Sequence, residues 1–281
     1  MSGTWPEGRR AAVSITVDNL GEAAEIELGL RSAEDPMGDH FSVVTSLPRV
    51  LEALASADLK ATFFIEGLNA IVYPDALRTI AGDGHEVAYH GFRHEEWTTL
   101  APDAEADNLE RGLTAFREIG FNPTGFRPPG GVLSSASLGL LRNQGLSYCS
   151  PAGKGVSSGE VAVLPFKWHA VDAFHVLPAF GALREHLDGD DAPRGLAGIR
   201  EGLFDAVATA MGTSGHACLV LHNWMIEGER ELVAEVFSDL SARSNRGELW
   251  IARCDEVADW ITDRGFATTT ELDPTPWMAP R

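Results

Sequence analysis

The chain is short of cysteine, of basic charge and of long apolar runs, and each shortage closes off a class of protein. Its 281 residues hold three cysteines, Cys149, Cys218 and Cys254, none of them in CxxC spacing. That excludes a disulfide framework and a cysteine-built zinc module, and predicts three reduced core thiols, two of them in apolar strand-like runs. Lys and Arg number 22 against 41 Asp and Glu, a formal charge of −19. Nucleic acids and anionic membrane surfaces reward clustered cations, so neither is an expected partner. No stretch reaches the roughly 20 apolar residues of a membrane span, and Met1–Arg10 has no apolar signal segment, so the expected location is the cytoplasm. The first strand is followed by no glycine-rich fingerprint, which weighs against a dinucleotide site. With no repeat, low-complexity segment or Pro/Ser linker, residues 1–281 are expected to form one domain with its core at about 11–265.

What is present is an alternation of strand and helix, about eight times over. Ala11–Val17 reads as a first buried strand, and Ala61–Ile65, Glu86–Tyr89, Ser147–Ser150, Val161–Phe166, Ala217–Leu221 and Leu249–Ala252 read as later ones. Helical spacing marks Phe41–Ala57, Pro74–Ala81, Pro102–Ile119 (Leu109, Leu113 and Phe116 on one face), Ser134–Asn143, Gly195–Met211, Glu229–Arg243 and Asp255–Arg264. Gly120 supplies the stop after the clearest of these. The pattern argues for parallel strands with crossover helices, hence an α/β barrel or a doubly wound sheet. Residues 21–40 are acidic and irregular, too long for an ordinary connection, and so either a lid or a loose insertion.

In such folds chemistry collects at the C-terminal ends of the strands. Those ends carry Asp18 and Asn19, His90 and His94, Arg127, Asp172 and His222. A helical turn beginning after His90 would place its ring beside that of His94, a usual way of offering two nitrogens to a metal such as zinc. Each residue has an ordinary reading too: a cap for Asp18, a surface ion pair for Arg127, a satisfied core histidine for His222. Together they resemble a hydrolytic site. Trp97, Trp168 and Trp224 adjoin these positions and are candidates for a substrate-stacking wall, with simple packing as the alternative. Tyr89 and Phe92 read as core.

Five ordered segments carry a family likeness: Thr16-Val-Asp18-Asn19, His90-x3-His94, Arg127-Pro-Pro-Gly-Gly131, Trp168-His-Ala-Val-Asp172 and Leu219-Val-Leu-His222. They resemble the motifs of the polysaccharide deacetylase family, the NodB-homology or carbohydrate esterase family 4 group. The resemblance implies a deformed (β/α) barrel of seven to eight parallel strands and metal-dependent hydrolysis of an amide C–N bond. The expected substrate is an N-acetylated sugar or related small metabolite. It implies Asp18 as general base, His222 as general acid, Arg127 as the cation orienting the base and Asp172 as a supporting carboxylate. Gly130 would be the backbone oxyanion donor, and Asn19, His90 and His94 the ligands of a divalent metal, zinc by preference. A homo-oligomer is compatible with the sequence.

Two departures qualify the likeness. Relatives carry a second Asp where this chain has Asn19, so three arrangements stay open: ligation by the Asn19 oxygen, substitution by Glu22 or another acid of the 21–40 segment, or no metal. Gly130 stands where many relatives carry Tyr, which opens space beside the oxyanion position. Family branches acting on cyclic imides and ureides supply a second reading of function, and a degenerate ligand-binding homologue supplies a third.

Overall fold

The structure, a computed structural model, describes residues 4–275, apart from the side chain of Glu227. Ten strands are present in that span: β1 Ala11–Asp18, β2 Ala61–Ile65, β3 Glu86–Tyr89, β4 Gly125–Phe126, β5 Tyr148–Cys149, β6 Gly153–Lys154, β7 Ala162–Val163, β8 His216–His222, β9 Leu249–Ile251 and β10 Glu271–Leu272. The main sheet runs β7-β5-β4-β3-β2-β1-β8 and all its pairs are parallel. β9 pairs with Ala11–Val13 of β1, below the register at which β2 takes over from Ile15. β6 and β10 form a separate antiparallel pair. Between the free edges at β7 and β8, one bridge from Val171 to Val220 draws the sheet toward closure. The deformed parallel barrel expected from the sequence is therefore the observed architecture.

Strand periodicity explains why the site lies where it does. In β1, Ala11, Val13, Ile15 and Val17 pack outward with the helices in one apolar cluster, while Ala12 joins a second cluster inside the barrel. Successive side chains alternate faces, so Ser14, Thr16 and Asp18 share the inner face with Ala12. The same parity in β8 puts Cys218 and Val220 inside, with His222 next in line. It carries Phe64 and Ala88 inside too, and with them the positions of Glu66 and His90 just past the strand ends. The inner face is polar in layers. Low in the barrel, Glu86 accepts from Thr62 Oγ1 (2.7 Å) and from Tyr148 OH (2.7 Å). Above it sits the guanidinium of Arg127, and at the rim are the carboxylates and imidazoles.

Helices clad the outside. The helix Pro102–Glu118 begins with Pro, whose missing N–H costs nothing in a first turn, and buries Leu109, Leu113 and Phe116. Gly120 follows it with φ +89°, the left-handed value that ends a helix at little cost to glycine. Phe41–Ala57 contains a π turn at Ser42–Ser46 before the α-helix Leu47–Ser56. The helix expected from Ser134 starts at Ser137, and the one expected from Glu229 starts at Ile226. A short helix, Gly67–Val72, follows β2 where none was expected. No described helix is long and apolar enough to cross a membrane, and all three cysteines are buried and unbridged.

Candidate active site

Arg127 organises the site. It is 1% exposed, yet its charge is matched: Nη1 donates to Asp18 Oδ1 (2.7 Å) and Thr16 Oγ1 (2.8 Å), and Nη2 to Ser150 Oγ (2.9 Å) and Cys218 Sγ (3.0 Å). Its plane also lies over the Phe64 ring, 4.1 Å from the centroid. A buried cation this well partnered fixes one oxygen of Asp18 and leaves the other, Oδ2, facing His90 Nε2 at 3.9 Å.

The backbone of the same residue positions the imidazole. Arg127 O lies 2.8 Å from His90 Nδ1, so the ring proton sits on Nδ1 and the Nε2 lone pair is turned to the cavity. Burial pushes His90 down to about 3 and His94 well below its ordinary value, so both rings are neutral near pH 7. Their centroids are 4.9 Å apart at 76°. The expected helical turn is not what joins them. Residues 90–96 form a loop in which Gly91 has φ +75° and His94 φ +73°. Here Glu95 takes the place of helical bonding, with Oε2 accepting from the N–H groups of Phe92 and Arg93 (both 2.9 Å).

Asn19 lies beyond Asp18 with φ +60°, a left-handed conformation that Asn and Asp tolerate better than other side chains. Its Nδ2 donates to Glu66 Oε1 (2.8 Å), and Asn69 Nδ2 donates to Glu66 Oε2 (2.8 Å). Glu66 is fully buried, and burial pushes its carboxyl up to about 8, the charge of Asp18 adding to the effect and the Asn19 amide opposing it. Glu66 was missed in the sequence although the signal was present: a carboxylate directly after an apolar strand, at the end where every other site residue was sought. Glu22 is a correction in the opposite sense. It is wholly buried away from the cavity, with Oε1 accepting from Gly38 N (3.0 Å) and Oε2 from Tyr73 OH (2.7 Å), and so cannot replace a ligand.

Beside Asp18, at the paired end of β8, Asp172 Oδ1 lies 2.5 Å from His222 Nδ1 and Oδ2 accepts from the His222 N–H (2.6 Å). Burial by itself depresses an imidazole, but the Asp172 carboxylate outweighs it and His222 is raised above its ordinary 6.5. Asp172, Arg127 and His222 thus all reach one rim. Gly130, with φ +78°, and Gly131, with φ +81°, turn the segment after Arg127 along the cavity wall. A Cβ on Gly131 would come within 2.7 Å of Trp168 Cζ2, so this glycine lets the indole close the wall.

These groups line one cavity of about 420 Å³ that includes Asp18, Asn19, His90, His94, Arg127, Gly130, Trp168, His222 and Trp224. Trp97 is absent from it: fully buried, it packs on Phe126 and donates to Ser137 Oγ (3.0 Å), so it is a core residue and not a substrate wall. Tyr89 and Phe92 are core as expected. The 21–40 segment is a wall of the cavity and not a loose insertion: Gly21, Ala24, Glu25, Leu28, Leu30 and His40 all line it.

Comparison with known proteins places this geometry. A family model described as polysaccharide deacetylase matches residues 35–149, the part that holds His90, His94, Arg127 and Gly130. A peptidoglycan deacetylase-like protein of Gibberella zeae is 32% identical over 106 residues, 37% of this chain and 31% of that protein. The chain's matches span about a third of the length of these curated relatives. A putative polysaccharide deacetylase from Mycobacterium smegmatis shares the fold with a TM-score of 0.76 at 24% identity, over 99% of this chain and 96% of that one. A Puue allantoinase does so with a TM-score of 0.70 at 18% identity, over 93% of each chain. The chain resembles the polysaccharide deacetylase family, as its motifs indicated.

Proposed function

We propose that this polysaccharide deacetylase-like chain is a hydrolase of an amide C–N bond, acting on an N-acylated small molecule or amino sugar. The observation that supports it best is the placement, side by side on the paired ends of β1 and β8, of an arginine-held carboxylate and an imidazole raised by a buried carboxylate. Asp18 Oδ2 is placed to take a proton from water as its oxygen bonds to the acyl carbon. The backbone turn at Gly130 faces the oxygen on which charge develops. His222, protonated by virtue of Asp172, delivers a proton to the nitrogen as the C–N bond breaks, giving a carboxylic acid and an amine. Arg127 acts through Asp18, holding one oxygen so that the other is aimed.

The family likeness implies a divalent metal, and the residues fit one of modest affinity. His90 presents a lone pair at Nε2, His94 is neutral beside it, and Asn19, its nitrogen engaged by Glu66, has its amide oxygen left to offer. No group of three His, Cys, Asp or Glu side chains with metal-binding geometry occurs among the described residues, so the set lacks a charged third ligand. Bound there, the metal would polarise the acyl oxygen and acidify water. A second reading, ring opening of a cyclic imide or ureide, is favoured by the enclosed cavity.

The test is an amide and imide panel run on protein purified without chelator, with metal content measured on the same samples. Asp18→Asn is expected to abolish turnover while retaining metal, because it deletes the base and leaves both imidazoles. His222→Ala should slow amides far more than activated esters, whose leaving groups need no proton. Equal losses on ester and amide would remove His222 from the role of acid.

A further inference from the structure

Besides the catalytic groups, the cavity has a lining of different character. Leu28, Leu30 and Phe41 contribute to it from the 21–41 segment, with Leu177, Phe180 and Trp224 from elsewhere in the chain. Leu30 is 75% exposed, Phe41 46% and Leu28 40%, so the mouth itself is apolar. This arrangement is built, not draped. Glu22 and Tyr73 pin the segment from below, and His40 is held between Ser42 Oγ (2.7 Å) and Glu25 Oε1 (3.2 Å). The two polar side chains of that wall, Glu25 and His40, are therefore turned toward each other.

We infer that the substrate is a compact amide with an apolar body, an aryl or branched alkyl group. The inference rests on the amide-hydrolysis reading and specifies its substrate. A volume of about 420 Å³ takes a small molecule, not a segment of polymer. A sugar ring buried against this wall would surrender the hydration of its hydroxyls to leucine and phenylalanine, a cost that an aryl group does not bear. An aryl or alkyl body gains on burial there.

The test compares N-benzylacetamide with N-acetylglucosamine on the full chain. Wild type is expected to favour the benzyl amide at least tenfold in kcat/KM. A preference for the sugar would overturn the inference while upholding C–N hydrolysis. Leu30→Glu, at a position exposed enough to accept the charge, should lower the benzyl-to-sugar ratio about fivefold; an unchanged ratio counts against the wall. If neither amide is hydrolysed, the catalytic reading fails on its own, and calorimetric binding of the same two compounds decides the inference. Tighter benzyl binding supports it, and equal or reversed affinity overturns it.

Discussion

Replacing Glu66 by glutamine should make the protein's stability less dependent on pH, and the size of the effect follows from where Glu66 sits. Two influences compete at this carboxyl. Amide groups of Asn19 and Asn69 donate to its two oxygens, which favours the ionised form. Burial, with help from the charge on Asp18, favours the neutral form and is the larger, raising the group from 4.5 to about 8. A folded-state value above the unfolded one means stability that is fully present below pH 4.5 and is lost as pH rises through 8. At 1.36 kcal/mol per pH unit, wild type should lose about 3 kcal/mol between pH 5 and pH 8 from this one group. Glutamine keeps the size and cannot ionise. Its own cost, the turning of one neighbouring amide, is the same at every pH. Urea unfolding of both proteins at the two pH values isolates the titration, since all other groups cancel in the difference. The stability difference should move by about 3 kcal/mol in favour of Glu66→Gln at the higher pH. Parallel behaviour of the two proteins would refute the reasoning and mean that the paired amides hold Glu66 as a carboxylate.

Asn19→Asp is expected to tighten zinc binding in a coloured-chelator competition, because φ +60° suits Asp as well as Asn and a charged oxygen joins two imidazoles. Turnover need not rise with it, since added negative charge weakens the metal as a Lewis acid. On the alkaline side, kcat/KM should fall with an apparent pKa above 6.5, as a raised His222 loses its proton. Asp172→Asn should move that limb downward, because the largest influence opposing burial is then gone, and a limb that stays in place would separate His222 from proton delivery. Gly131→Ala is expected to cost on the order of 1–3 kcal/mol in chemical denaturation, from strain at φ +81° and the clash with Trp168.

The parts of the molecule legible in the sequence are those with long, regular patterns. β1, β2, β3 and β8 are largely apolar runs, and in β1, β3 and β8 the polar residue closing the run marked the rim correctly. β4, β5 and β7 are two residues long, held by neighbours and not by their own pattern, so the expected Val161–Phe166 strand shrank to Ala162–Val163. The histidine pair was found for the wrong reason. Spacing of four suggested a helix, whereas two left-handed residues and the Glu95 side chain build the loop. Trp97 was misread because adjacency in sequence does not say which way a ring points, and here it points into the core toward Ser137. Glu22 and Glu66 show the same limit: both are buried acids near Asn19 in the chain or in space, and only the fold tells which one meets it.

The single bridge between Val171 and Val220 has a consequence for how the site breathes. β8 is paired with β1 over seven residues, from His216 to His222, whereas the chain from β4 to β7 is stitched by pairs of two. Amide hydrogen exchange should divide the barrel accordingly, with β1 and β8 exchanging only on global unfolding and the β5–β7 side opening on its own. Asp18 and His222 then stand on the slow half. Trp168 and Asp172 hang from the fast half, beside the seam. The proposed base and acid keep their spacing while one cavity wall can swing away, so the entry of a substrate need not disturb it.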